Sequence, residues 1–247
     1  MVFTLTPNIL RVRAGFILPI HEQFHRVDTM HRTILLLSFL MISAPTEAEP
    51  TIFTQIYREK LSPIIYENEA FFCFFDAFPV NPGHALIVPK RQVPSIMDLT
   101  REEWALLQET LIQVTEVVQR TDLQKLYKNR ELDSRTQIQT IEKFLKEKTS
   151  NDPNLTEENA PRRLTFHQRS LFHSQTATAK LEEVGVSWSS AQFNLGLNEG
   201  RYAGRTIDHL HFHIIPRFEG DMKNPVGGVR NIFPELGNYT IDREIKE

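Results

Sequence analysis

A single cysteine, Cys73, stands among the 247 residues of this chain. No internal disulfide can form, and with Phe72 and Phe74 on either side the residue reads as a small buried hydrophobe rather than a thiol nucleophile. An excess of one charge is also missing. Twenty-eight Lys and Arg against 31 Asp and Glu leave a formal net charge of −3, without the concentrated basic surface that duplex DNA or RNA requires, so nucleic acid is not an expected partner. The apolar run Ile34 to Ala44 is eleven residues long, short of the ~20 that cross a bilayer, so no stable membrane span is expected. No internal repeat is evident.

What is present suits one folded domain with additions. The chain exceeds the common domain size of ~100–150 residues, and its 40% hydrophobic content is adequate for a core. Residues 1–49 read as a leader. Its segment 30–48 has the hydrophobic length of a secretory signal if translation begins at Met30, with Thr46-Glu47-Ala48 offering a small residue for cleavage. Read from Met1, the charged residues Arg11, Arg13, Glu22, Arg26 and Asp28 precede the run, and the segment is then a disordered or spurious leader. The expected location is the cytoplasm in the second case and outside it in the first. Residues 50–247 form the folded domain, with an insertion at about 121–187.

Within the domain, Ile64-Ile65-Tyr66 and Ala70 to Phe75 flank a polar Glu67-Asn68-Glu69 turn and predict a hairpin, which Ala85 to Val88 extends. Thr100 with Glu103 three residues later predicts a capped helix start. Trp104, Leu107, Leu111, Val114 and Val118 then form one apolar stripe against the sheet. The insertion is charged and amide-rich. Ile138, Ile141, Phe144 and Leu145, beside Gln137, give it a narrow helical face, with Asn151 to Asn154 as a loop. Its basic cluster, Arg162, Arg163, His167, Arg169 and His173, reads as a solvated helix face rather than a phosphate clamp.

The chemistry concentrates in His209-Leu210-His211-Phe212-His213-Ile214-Ile215-Pro216-Arg217. On a strand the three imidazoles would share one face while Leu210, Phe212 and Ile214 pack on the other. Imidazoles so grouped can relay protons, attack phosphorus or bind a metal.

This stretch resembles the signature of the histidine triad (HIT) family. Three further segments carry the resemblance: Phe75-Asp76 running through Pro82-Gly83-His84 into Ala85-Leu86-Ile87-Val88; Phe193 to Gly200; and Ala203-Gly204-Arg205-Thr206. The resemblance implies an α+β fold, an antiparallel sheet of about five strands with a packed helix, here with a helical insertion. It implies a nucleotide hydrolase in which His211 attacks a nucleoside 5′-phosphoryl group, forming a nucleotidyl-histidine that water then resolves to AMP or another nucleoside monophosphate. His213 and Asn198 would hold the nonbridging oxygens, and His84 and His209 would pair behind the nucleophile. Asp76 would accept hydrogen bonds from the ribose hydroxyls, with Ile56, Phe75 and Leu86 as candidate walls for a base, and Arg205 would hold a further phosphate. His213 at the third triad position fits the hydrolase branches rather than the nucleotidyltransferases.

No cofactor is expected for the chemical step, with a divalent metal entering only as substrate counter-ion. Where many relatives carry a zinc-binding Cys-x-x-Cys pair, this chain has Thr51-Ile52-Phe53-Thr54, so no structural zinc is expected. A homodimer is implied by the resemblance. Two other readings stay open: a metal-dependent hydrolase ligated by the triad, and a noncatalytic nucleotide-binding scaffold. The Gly227-Gly228-Val229-Arg230 segment resembles one found after the triad in diadenosine polyphosphate hydrolases, although a plain turn explains it as well. Dinucleoside polyphosphates and nucleoside phosphoramidates share the nucleotidyl half that these residues address.

Overall fold

The computed structural model describes residues 49–185 and 192–232; the candidate signal segment at 30–48 lies outside them. Helix α1 (Ile52–Glu59) is followed by strands β1 (Tyr66–Glu67), β2 (Phe71–Phe75) and β3 (Ala85–Pro89) and by helix α2 (Arg101–Arg120). Two long helices, α3 (Leu123–Glu147) and α4 (Ala160–Val184), precede β4 (Gln192–Gly196) and β5 (Phe212–Arg217). The strands form one antiparallel sheet of five in the order β1-β2-β3-β5-β4. This is the α+β architecture expected from the sequence.

Strand β2, Phe-Phe-Cys-Phe-Phe, is buried along its whole length, because both faces of the sheet are covered. Alternation divides its side chains. Phe71, Cys73 and Phe75 join Ala85 and Ile87 of β3 in the larger core, against Leu107, Val114 and Val118 of α2. Phe72 and Phe74 join Leu86 and Val88 in a smaller core closed by Phe53 of α1. Each fully buried aliphatic or aromatic side chain contributes about 1.5–3 kcal/mol, so the two central strands anchor the fold. The Cys73 thiol is held in its neutral form by burial.

The α2 start forms as its sequence predicts. Thr100 Oγ1 accepts from Glu103 N at 3.1 Å, and Glu103 Oε2 accepts from Thr100 N at 2.8 Å, a reciprocal capping box. Trp104 departs from the expected stripe: it is 46% exposed, in the first turn of α2 ahead of the packed positions Leu107, Val114 and Val118.

The insertion is a helical hairpin with two separate anchorages. At its base, Leu123 and Tyr127 of α3 and Ala177 and Leu181 of α4 enter the larger core. Towards its tip, Ile141 and Phe144 pack with Leu155 and Ala160 in a cluster of their own. Its basic residues are not a uniform solvated face. Arg163 pairs with Asp152 at 2.8 Å, the Arg169 guanidinium lies 4.5 Å over the Phe78 ring, and His173 Nδ1 stands 3.4 Å from Pro79 O. The Gly-Gly-Val-Arg segment forms a short 3-10 turn at Gly228–Ile232.

Candidate active site

The triad does not lie wholly on a strand. β5 begins at Phe212, so only His213 occupies strand geometry. The reason is tertiary: Leu210 N donates to Val93 O at 2.6 Å, and His209 is fixed on both ring nitrogens. His209 Nε2 donates to Pro89 O at 2.9 Å, so its Nδ1 accepts from Thr51 Oγ1, also at 2.9 Å. With no exposure, His209 has its pKa lowered by burial and stands as a neutral internal brace. Leu210, Phe212 and Ile214 pack in the larger core as expected.

His211 is oriented by its own backbone. Its Nδ1 lies 2.8 Å from His209 O; a carbonyl can only accept, so Nδ1 carries the proton and Nε2 carries the lone pair. The ring is 8% exposed and meets the Phe53 ring at 4.9 Å, inclined at 62°.

His213 sits beside it, ring centroids 5.0 Å apart. Behind His213 runs a chain of polar groups. His213 Nδ1 and His84 Nε2 are 2.9 Å apart, and His84 Nδ1 lies 3.3 Å from Asp76 Oδ2, an ion-pair contact off the line of a good hydrogen bond. The carboxylate favours a proton on His84 Nδ1. His84 Nε2 then accepts from His213 Nδ1, and His213 Nε2 is left as a lone pair. That Nε2 is buried and has no hydrogen-bond partner among the described residues. The His213 pKa falls from 6.5 to about 4, chiefly through burial and then through the neighbouring His84 and His211. Burial likewise lowers the His84 pKa, with Asp76 opposing it. The partner of His84 is therefore His213 and not His209, which corrects the expected pairing: the β3–β5 register sets Leu86 opposite His213, two residues along from His84, while His209 is taken up by Thr51 and Pro89.

Asp76 closes the segment between β2 and β3. Its Oδ1 accepts from Phe78 N at 2.9 Å, its backbone N–H donates to His84 O at 2.9 Å, and its side chain is 20% exposed. Asn198 follows β4. The last β4–β5 pair joins Gly196 to His213, and Asn198 lies two residues beyond it, in the stretch that follows the strand. Arg205 is engaged by Asp208 Oδ1 at 2.9 Å, by Glu199 Oε1 at 3.8 Å and by the carbonyl of Pro94. Of the candidate base walls, Leu86 and Ile56 share the smaller core with Phe53, whereas Phe75 lies in the larger core on the other face of the sheet.

Comparison with known proteins assigns the family. A profile for the HIT domain matches residues 57–220. The chain belongs to the HIT domain family. An uncharacterised HIT-like protein of Synechocystis sp. is 38% identical over 71 residues, 28% of this chain and 62% of that one. An uncharacterised HIT-like protein of Methanocaldococcus jannaschii is 23% identical over 197 residues, 79% of this chain and 96% of that one. A bis(5′-adenosyl)-triphosphatase of Dictyostelium discoideum is 25% identical over 163 residues, 66% of this chain and 65% of that one.

In this HIT domain the Thr51 to Thr54 segment has a definite task. Thr51 Oγ1 caps α1 by accepting from Thr54 N, Thr54 Oγ1 donates to Gln92 Oε1 at 2.9 Å, and Gln92 Oε1 also accepts from Thr51 N at 3.2 Å. These hydroxyl and amide groups suit a hydrogen-bonded brace for His209 and are poor zinc donors. Sequence reasoning missed Phe53 as the wall of His211. It missed Asn81 too, whose Nδ2 donates to Pro216 O and to Asp221 Oδ2, both at 2.8 Å, tying the 76–84 segment to β5. Arg217 grips the same Asp221 with two hydrogen bonds, at 2.7 and 2.8 Å, and these hold its carboxyl below the usual range. A Pro-Arg pair after the triad was the one sequence sign of this lock.

Proposed function

We propose that this HIT domain hydrolyses a nucleoside 5′-phosphoryl bond, in a dinucleoside polyphosphate or a nucleoside phosphoramidate, through a nucleotidyl-histidine intermediate at His211. The observation that carries the reading is the pair of imidazoles: His211 with Nδ1 spent on the His209 carbonyl, and beside it His213 with a buried Nε2 that has no hydrogen-bond partner among the described residues. The name of the triphosphatase relative supports the same reaction class.

In the first step His211 Nε2 attacks the α-phosphorus, a P–N bond forms, and the P–O or P–N bond to the leaving group breaks. Charge builds on the nonbridging oxygens, and in this reading Asn198 and the protonated His213 donate to them. His213 is neutral when the site is empty. A bound phosphate brings the negative charge that favours its protonated form, so it takes up a proton on binding and can pass it to the leaving group. In the second step water attacks phosphorus, His213 accepts the water's proton, the nucleoside monophosphate departs and His211 is restored. Asp76 orients His84 and through it His213, and its exposed part faces the ribose. Arg205 reaches a further phosphate only by leaving its carboxylate partners.

The triad as a metal site fits poorly, because His209 has no ring nitrogen left to coordinate. The scaffold reading is decided by activity. The test is AMP release from diadenosine triphosphate and from adenosine 5′-phosphoramidate, with and without chelator. Wild type releases AMP with chelator present, and His211→Ala slows release at least about 10³-fold, the scale on which nucleophile removal acts. Activity that survives in His211→Ala, or that chelator abolishes with the phosphoramidate, overturns the reading.

A further inference from the structure

The helical insertion interrupts the pattern that the triad and its flanking segments share, yet one of its side chains reaches the site. Arg130 projects from α3 into the interior. Its Nη1 donates to Asp76 O at 2.6 Å and its Nη2 to Phe75 O at 2.9 Å. The guanidinium thus grips two successive carbonyls across the residue that carries the ribose-facing carboxylate. One helical turn earlier, Tyr127 is fully buried and its hydroxyl accepts from Gly83 N at 2.8 Å, at the other end of the same segment and next to His84. The Arg130 guanidinium also lies 5.9 Å from the centre of the Tyr127 ring.

Burying a guanidinium is unfavourable, and burial lowers the Arg130 pKa. No carboxylate forms an ion pair with it among the described residues; its partners are backbone carbonyls. A residue needed only to fill space would be apolar here. The planar fork of an arginine instead holds two carbonyls in one fixed geometry, which a lysine ammonium or an apolar chain cannot reproduce. Gly83 is confined as well: its φ is +83°, and an added Cβ would meet Pro216 at 3.0 Å, Leu123 of α3 at 3.1 Å and Val118 at 3.3 Å. The insertion therefore packs directly on the turn that delivers Asp76 and His84.

We propose that Arg130 is a positioning residue that sets the Asp76 carboxylate for ribose, making the insertion part of the nucleotide specificity of this protein. The inference rests on the reading of Asp76 as the ribose acceptor. Its readout is discrimination between a ribonucleotide and its deoxy analogue, which a purely structural role would not move.

The experiment measures binding of AMP and of 2′-deoxy-AMP to the full chain by calorimetry, for wild type, Asp76→Ala, Arg130→Met and Arg130→Lys. Ile141→Ala, altered in the distant tip cluster, is the control for loss of stability. A hydroxyl bonded to a carboxylate gives wild type a preference for AMP of about tenfold or more. Arg130→Met is expected to lose most of that preference, as Asp76→Ala does, while binding of 2′-deoxy-AMP changes less than about twofold. Arg130→Lys recovers part of it, and Ile141→Ala keeps it. If Arg130→Met does not fold, Arg130→Lys carries the test alone, and undiminished preference in it overturns the proposal. Undiminished preference in folded Arg130→Met overturns the proposal and leaves the hydrolase reading intact. Wild type that does not bind AMP overturns both.

Discussion

At the scale of single residues, the site is governed by which ring nitrogen carries a proton. His213 gives this a measurable consequence. In the unfolded chain its imidazole takes a proton near 6.5, and in the folded protein only near 4. Between these values the unfolded state binds more protons, so stability falls as pH drops from 6.5 to about 4 and is fully present above 6.5. His84 and His209, both lowered by burial, act in the same direction. Because the His213 ring is partly exposed, its share after solvent screening is roughly 1–2 kcal/mol. Urea midpoints of the empty protein from pH 7 to pH 4 should therefore decline, and His213→Gln should flatten the decline by about that amount. Equal slopes in the two proteins would show that the ring titrates normally in the folded state.

At the scale of elements, local signals were legible and long-range ones were not. The capping box of α2 lies within four residues, Thr100 to Glu103, and the structure realises it as written. The triad was legible because its three imidazoles alternate with apolar residues within five consecutive positions. Its geometry was not, because the strand is delayed to Phe212 by contacts with Thr51, Pro89 and Val93, far away in the chain. Nothing in the composition around Arg130 marks it as a donor to Phe75 and Asp76, more than fifty positions earlier. For the insertion the sequence offers only a narrow apolar helical face and a charged composition, whereas its base belongs to the main core and its tip to a cluster of its own. The two ends should thus respond differently to mutation. Ile141 is fully buried in the tip cluster, and Ile141→Ala should cost about 2–5 kcal/mol of local stability. Hydrogen exchange should quicken in the C-terminal half of α3 and the N-terminal half of α4, while AMP release stays within about twofold of wild type, the site being held from the base of the hairpin. A proportionate loss of activity would mean that the hairpin transmits strain along its whole length.

At the scale of the whole molecule, the sheet poses the problem that every open sheet poses. The described order ends in β1, only two residues long, on one side and in β4 on the other. Strand β4 is five residues long, and among the described residues its outer edge is unpaired. Short strands protect an edge from further pairing; a longer exposed one invites a partner. Leu195 on β4 is 48% exposed, and Asn198 follows in the segment directly after the strand. A homodimer formed by joining sheets, the assembly that the family resemblance implies, would cover this edge and set the two sites near a shared boundary. Light scattering on the full chain should then give about twice the 28.7 kDa chain mass. Leu195→Glu would place like charges across a two-fold edge, where each copy of the residue lies near its mate, and should move the mass towards the monomer. If Asn198 depends on that edge for its placement, the dissociated variant loses turnover while the thermal midpoint of the core stays close to that of wild type. A wild-type chain already monomeric at micromolar concentration would leave β4 as a free edge and remove the dimer from any account of this site.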